Sequence, residues 1–181
     1  MRFFVLLIIL GSGIACSRYR NIANDIEALT SKNIVLPTLY NINNDIIGKK
    51  PITLVVYYDS LECSHCRVAH LVDMNDVVEI SDVDDQFGVL FIFTPSKKDV
   101  RQLWLSLNKH EYQEKICLDS LGVFIQENPH IPTSHQCHTL LLDRDNRVVL
   151  VGNPLASDTM WFLFRKTLDN MLANDGVYVS E

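Results

Sequence analysis

The sequence predicts an α/β fold in which a central mixed sheet is flanked by helices. Two observations carry this prediction. Short apolar, β-branched runs alternate along the chain with segments whose apolar residues recur at helical spacing, which is typical of βαβ units and parallel strands. The last two apolar runs are separated only by the turn-forming residues 143–146, which predicts a hairpin containing an antiparallel strand.

The composition fits one globular domain and argues against one class of binding partner. The chain has 181 residues, of which 48% are hydrophobic and 21% charged, enough apolar side chains to form a core. Its formal net charge of -6 argues against a nucleic-acid partner, because phosphate binding needs a basic surface. Its 5 cysteines are an odd number, so at least one must be free, modified or removed.

The first residues have the pattern of a targeting segment. Arg2 precedes the apolar run Phe3–Leu10, which is too short to span a bilayer stably, and small residues follow it. Gly13-Ile14-Ala15-Cys16 resembles a bacterial lipoprotein signal, in which the chain is cut before a cysteine that receives lipid. This resemblance implies a signal peptide over residues 1–15, lipidation of Cys16, and a cell-envelope protein held on the periplasmic side of a membrane.

The residues after Cys16 are predicted to connect this anchor to the domain. Ile22, Ile26 and Leu29 recur at helical spacing, which predicts a tether helix within residues 16–33. Ile34–Pro37 is apolar and β-branched and predicts a short strand that ends at the proline. The domain is then expected over residues 34–176, followed by a tail over 177–181.

The core elements follow in order. Ile52–Tyr58 is continuously apolar, as expected for a strand covered on both faces, and a helix is expected from about Ser64 to Ile80. Val89–Phe93 is a second buried strand. The next helix carries an apolar stripe that includes Trp104, and Ser96 with Asp99 suggests a variant of a capping box at its start.

The second half of the domain is predicted in the same way. The expected elements are a strand at Ile116–Leu118, a short helix within Leu121–Glu127, strands at Thr139–Leu142 and Val148–Val151, and a helix from about Asp158. On the last helix, Trp161, Phe164, Leu168 and Met171 share one face and are expected to pack on the sheet.

The segment Cys63-Ser64-His65-Cys66 follows the first core strand and opens the next helix. Two cysteines at this spacing can form a disulfide within one helical turn, and the positive end of the helix dipole favours a thiolate on Cys63. Cys66 can then attack a mixed disulfide and release the partner, which is thiol–disulfide exchange. A single Cys-x-x-Cys is also half of a zinc site, so metal binding stays an alternative.

The strand–Cys-x-x-Cys–helix order and the final hairpin resemble the thioredoxin-fold superfamily, in particular the TlpA-like redoxins and the thioredoxin-like lipoproteins of Bacteroidetes. The segments over residues 57–66 and 141–154 carry this resemblance. It implies a thioredoxin-like fold and a thiol–disulfide oxidoreductase in which Cys63 is the nucleophile and Cys66 the resolving thiol. His65 would tune the pKa of Cys63. The resemblance also implies protein thiols or disulfides as substrates, an upstream redox partner, and no cofactor besides the redox-active disulfide.

The loop that should face Cys63 departs from this pattern. The position where the fold usually keeps a cis-proline falls on Cys137, and histidines surround it at positions 130, 135 and 138. This motivates a second hypothesis, a Zn or Cu(I) site built from Cys63, Cys66, Cys137 and His138, with His70 as a further candidate ligand. A third hypothesis is a binding module without catalytic activity, motivated by Glu62 before the first cysteine and by the missing proline.

The remaining cysteine, Cys117, lies in a predicted strand. A small buried side chain is the commonest fate of a free cysteine, so we expect Cys117 to belong to the core. A Cys117–Cys137 disulfide in an oxidising compartment is an alternative that the sequence leaves open.

Overall fold

A computed structural model describes residues 22–59, 68 and 71–180 of the chain. Its sheet has five strands: β1 (Ile52–Tyr58), β2 (Phe87–Phe93), β3 (Ile116–Leu118), β4 (Thr139–Leu142) and β5 (Val148–Val151). They lie in the order β3-β2-β1-β4-β5. The predicted mixed sheet flanked by helices is confirmed, and every strand that was predicted from Ile52 onward is present.

The helices are α1 (residues 22–30), α2 (Asn75–Val83), α3 (Val100–Leu107), α4 (Val123–Glu127) and α5 (Asp158–Ala173). The helix expected to end near Ile80 continues to Val83. In its described part Val68 is helical, and a 3-10 turn over Val72–Met74 precedes α2. In the part of the chain that the structure describes, no helix combines the length and the apolar character required to cross a membrane.

One strand pairing differs from the parallel pairing that simple alternation of strands and helices predicts. Strands β1, β2 and β3 pair in parallel, as expected, but β4 is antiparallel both to β1 and to β5. The hairpin therefore joins the sheet through an antiparallel strand beside β1. The reason is the connection after β3, which returns past β2 and β1 and enters the sheet from the opposite end.

Three helices cover one face of the sheet. The buried side chains on this face come from alternate positions of β1 and β2 and from one stripe of each of α2, α3 and α5; the helical members include Val77, Leu103, Phe164, Leu168 and Met171. Two successive crossovers of the same hand, from β1 to β2 and from β2 to β3, place α2 and α3 on the same side.

Shorter segments cover the other face. Leu29 of α1, Ile34, Phe124 of α4 and Ile131 pack there on the remaining side chains of β1, β2 and β4. Leu29 and Phe124 are completely buried. The segment over residues 22–34 thus forms part of the domain's second covering layer.

The strand expected at Ile34–Pro37 is absent from the structure. The backbone of Val35 is instead held by the buried side chain of Asn128, whose Oδ1 accepts from the Val35 N–H (2.7 Å) and whose Nδ2 donates to the Val35 carbonyl (2.8 Å). Nδ2 also lies 2.8 Å from the carbonyl of Phe124. One amide side chain therefore supplies the hydrogen bonds that a neighbouring strand would have given.

Two expectations about α3 are wrong. Trp104 is 40% exposed, because only Leu103 and Leu107 of this helix point fully into the core. The Ser96 hydroxyl donates to the Asp99 carboxylate at 2.5 Å, and neither side chain caps an N–H of the helix. The residues around the helix start thus bond to one another instead of forming a capping box.

Cys117 is a core residue, as predicted. It lies in β3 beside Ile92 of β2, is 4% exposed, and is a free thiol, as is Cys137. The Cys117–Cys137 disulfide that the sequence left open is therefore not formed. Burial, assisted by the charge of Asp119, raises the pKa of the Cys117 thiol to about 12.

The Asn128 bridge yields a prediction about stability. Asn128→Ala removes one buried and two part-buried hydrogen bonds, including both that hold the Val35 backbone, so the free energy of unfolding should fall by about 2–4 kcal/mol. Thermal and denaturant unfolding measure this loss. The control is Asn33→Ala, which removes an exposed bond to the Asp145 carbonyl and should cost less than about 1 kcal/mol. Equal effects of the two substitutions would contradict the role of Asn128.

The environment of Cys117 yields a second prediction. With a thiol pKa of about 12, alkylation of Cys117 by iodoacetamide at pH near 8 should be about a thousandfold slower in the folded chain than in denaturant. Peptide mapping by mass spectrometry follows this cysteine separately from the others. Comparable labelling rates in the folded and the unfolded chain would show that Cys117 is accessible and ionisable.

Candidate functional site

The predicted redox segment follows β1, the central strand of the sheet. Cys63, His65 and Cys66 lie outside the described residues, as do His70 and the predicted lipidation site Cys16. The roles predicted for them stay predictions. The described surroundings are the carboxyl end of β1 and the loop that leads into β4.

A cavity of about 350 Å³ lies at this end of β1. Its lining includes Tyr57, Asp73, Met74, His135, His138 and Asn153. A cavity of about 390 Å³ lies at the opposite end of the parallel strands, against Phe87 and Glu114. We place the candidate site at the first cavity, because it lies where the chain leaves β1 and is lined by two imidazoles and a carboxylate.

His138 is the most firmly held residue of this site. It is 4% exposed, and its ring packs edge-on against Tyr57 with centroids 5.1 Å apart. Its carbonyl accepts from the Tyr57 N–H at 2.9 Å, which attaches the loop to β1. Its Nε2 lies 2.9 Å from the carbonyl of Pro132. Because a carbonyl only accepts, this contact places the ring proton on Nε2 and directs the lone pair of a neutral ring to Nδ1.

Two further side chains meet His138. His135 begins the 3-10 turn His135–Cys137 and is exposed, and its ring stands perpendicular to that of His138 with centroids 5.4 Å apart. Asp59 is the first residue after β1 and is partly buried. One nitrogen of each histidine and one carboxylate oxygen of Asp59 all lie within 4.8 Å of one another.

Cys137 and His138 were both predicted to lie in the loop that faces the site, but in the structure their side chains lie in different environments. His138 lines the cavity, whereas Cys137 is 3% exposed and packs in the core beneath α1. Burial, and to a smaller extent the charge of Asp25, raises the pKa of the Cys137 thiol. A buried protonated thiol is a poor metal ligand, which weakens the proposed set of Cys63, Cys66, Cys137 and His138. The distance from Cys137 to Cys63 stays untested.

The third histidine of the loop, His130, does not join this group. Its Nε2 is buried without a hydrogen-bond partner, and burial together with the charge of Lys32 lowers its pKa. Of the loop histidines, the cluster therefore takes only those at positions 135 and 138.

Sequence reasoning missed Asp59 as a site residue and mentioned His135 only as part of a histidine-rich loop. The two are 76 positions apart, and their proximity depends on the antiparallel pairing of β4 with β1. The sequence feature that could have indicated Asp59 is its position at the end of the first buried strand, where α/β folds place functional side chains.

Comparison with solved structures places this architecture among known folds. The chain is similar to the thioredoxin domain of a thiol-disulfide oxidoreductase from Bacteroides vulgatus (14% identity, TM-score 0.51), covering 76% of this chain and 96% of that one. It is also similar to a thioredoxin-like protein from Porphyromonas gingivalis (13%, TM-score 0.50), covering 79% and 94%. A third similar structure, a conserved protein from Geobacillus kaustophilus, has 14% identity and a TM-score of 0.53, and the match covers 83% and 85%.

No protein-family model and no curated protein matches the sequence. Identities of 13–14% establish the fold and leave the activity to be argued from the site. The similarity to these structures, together with the mixed five-stranded sheet flanked by helices, shows that the chain has a thioredoxin-like fold.

Proposed function

We propose that this protein is a thiol–disulfide oxidoreductase that exchanges disulfides with protein partners through Cys63 and Cys66. One observation carries the proposal: in a sheet of thioredoxin topology, the Cys-x-x-Cys segment follows the central strand β1 and precedes helical residues that lead into α2. Cys63 would thus stand near a helix N-terminus, where the unpaired N–H groups stabilise a thiolate.

The exchange takes place in two steps that together conserve sulfur–sulfur bonds, electrons and protons. The Cys63 thiolate attacks one sulfur of the partner's disulfide, which forms a mixed disulfide and releases the other sulfur as a thiolate. The Cys66 thiol, losing its proton, attacks the Cys63 sulfur and releases the second thiolate of the partner. The partner gains two electrons and two protons, and the protein leaves as the Cys63–Cys66 disulfide. An upstream dithiol then reduces it, and the reverse sequence would oxidise a partner.

The direction of exchange depends on how strongly the thiolate is stabilised. A protonated His65 would lower the pKa of Cys63, whereas the charge of Glu62 would raise it. A reduction potential of about -270 mV would identify the protein as a reductant, and a potential of about -120 mV would identify it as an oxidant.

The redox proposal predicts a reversible disulfide. Titration of the full chain in glutathione or dithiothreitol buffers should show a two-electron Cys63–Cys66 couple, and the reduced protein should reduce disulfides of insulin. Cys63→Ser should lower this activity to the rate without protein, because the nucleophile is lost. Cys66→Ser should accumulate a mixed disulfide through Cys63, visible by mass spectrometry.

Cys117→Ala is the matched control, because it removes a buried core thiol outside the Cys-x-x-Cys segment and should keep the activity. Full activity of Cys63→Ser, or failure of the two cysteines to form a reversible disulfide, would sink the redox proposal. A double Cys→Ser variant that still binds its protein partner would favour the non-catalytic binding module instead.

We also propose that the protein is held in the cell envelope by lipid on Cys16. The support is the sequence Gly13-Ile14-Ala15-Cys16 after the apolar run Phe3–Leu10. A diacylglyceryl group with a further amide-linked chain anchors firmly, whereas one chain binds only marginally.

Lipidation predicts that cells fed an alkyne-labelled fatty acid transfer label to the wild-type chain and to the Cys63→Ser control. The Cys16→Ser variant should carry no label and should leave the membrane fraction. Label on Cys16→Ser, or none on the wild type, would contradict the assignment of Cys16.

A further inference from the structure

We propose that Asp59, His135 and His138 form a zinc site at the carboxyl end of β1. The carboxylate of Asp59 and one nitrogen of each imidazole lie within 4.8 Å of one another. This inference goes beyond disulfide exchange and does not rest on it, since none of the three residues belongs to the Cys-x-x-Cys segment.

The donor set selects the class of metal. Two imidazole nitrogens and one carboxylate oxygen suit a borderline divalent ion such as Zn²⁺, whereas Cu(I) prefers thiolates and thioethers. Three protein ligands with a fourth position left for water or a substrate atom is the arrangement of open zinc sites. Among the described residues the thiols of Cys117 and Cys137 are buried in the core, so this cluster is a nitrogen–oxygen site.

The three ligand atoms must move slightly closer together to bind one zinc ion. Ligand atoms at about 2.0–2.2 Å from a tetrahedral zinc lie about 3.3–3.5 Å apart, so the widest pair must approach by about 1.5 Å or less. His135 is exposed and its side chain can rotate toward the ion, while Asp59 stands at the end of its strand. Rotation of these two side chains can close the site without moving the sheet.

The ring of His138 is held by contacts of the kind that support a histidine ligand. Its Nε2 bonds to the Pro132 carbonyl at 2.9 Å, which places the proton on Nε2 and makes Nδ1 the atom that can bind metal. Tyr57 packs on the ring at 5.1 Å and binds the His138 carbonyl through its N–H. Histidine ligands in metal sites commonly have such a partner on the second nitrogen, which fixes the tautomer and the ring.

The cavity beside the cluster gives a metal ion access to it and leaves space for a further ligand of that ion. The cavity of about 350 Å³ contacts both histidines, and its lining also includes the carboxylate of Asp73. The exposed ring of His135 marks the open side. The site therefore has an open side and room for a fourth ligand.

The test is zinc titration of the full chain carrying Cys63→Ser and Cys66→Ser, which removes the thiolates that could bind zinc by themselves. Isothermal calorimetry should show one zinc per chain. His135→Gln and Asp59→Asn should each weaken binding by about 100-fold or more, since loss of outer-shell partners alone costs about 10–100-fold. Both substitutions are conservative in size and avoid the buried His138, and unfolding temperatures without metal check that the fold is kept.

His130→Gln is the matched control, a histidine of the same loop outside the cluster, and it should leave the affinity unchanged. Cobalt added to the chain with Cys63 and Cys66 oxidised to their disulfide should give a spectrum without thiolate-to-cobalt charge transfer. Absence of zinc binding, binding unaffected by His135→Gln, or binding that requires Cys63 and Cys66 would each overturn the proposal. Because the titration uses the variant without the redox pair, its result is independent of disulfide exchange.

Discussion

Strand β1 is hydrogen-bonded on both edges, to β2 and to β4, and all seven of its side chains are buried. A strand in this position needs apolar cover on both faces of the sheet, and only its two ends can reach solvent. The helices α2, α3 and α5 supply one layer, and α1 with α4 and its neighbouring loops supply the other. The carboxyl end of β1 is then the place where polar side chains can be held by the rigid centre of the fold.

The second layer is built with little regular structure, and it depends on polar contacts that a helix layer would not need. Asn128 bonds the backbone of Val35 from a completely buried position. Asp119, also buried, accepts from the N–H groups of Val123 and Phe124 and so supports the start of α4. Irregular chain can cover a sheet face here because buried side chains satisfy its backbone groups.

The strands of the domain could be predicted from sequence because their local pattern and their burial agree. Ile52–Tyr58 is apolar at every position and is buried at every position, and the turn residues 143–146 separate two strands with the expected bounds. Ile34–Pro37 has a strand-like pattern but no strand partner, since its backbone bonds to a side chain 93 positions away. Local propensity contains no information about such a contact.

The candidate site was predictable only in part, for a related reason. Cys-x-x-Cys is a local motif, and its place after a strand can be read directly. The meeting of Asp59 with His135 and His138 depends on the direction of β4, which alternation of strands and helices did not specify. Strand alternation also could not predict that His138 lines the cavity while Cys137 packs in the core, because Cys137 belongs to the 3-10 turn His135–Cys137 that precedes β4.

If Cys16 carries lipid as proposed, the packing of α1 on the domain limits how far the domain can lie from the membrane. Leu29 and Ile34 are fixed in the second layer, so the chain between Cys16 and residue 22 is the length available as a spacer. Six residues reach at most about 20 Å when fully extended. The proposed disulfide exchange would then take place within a short distance of the bilayer surface.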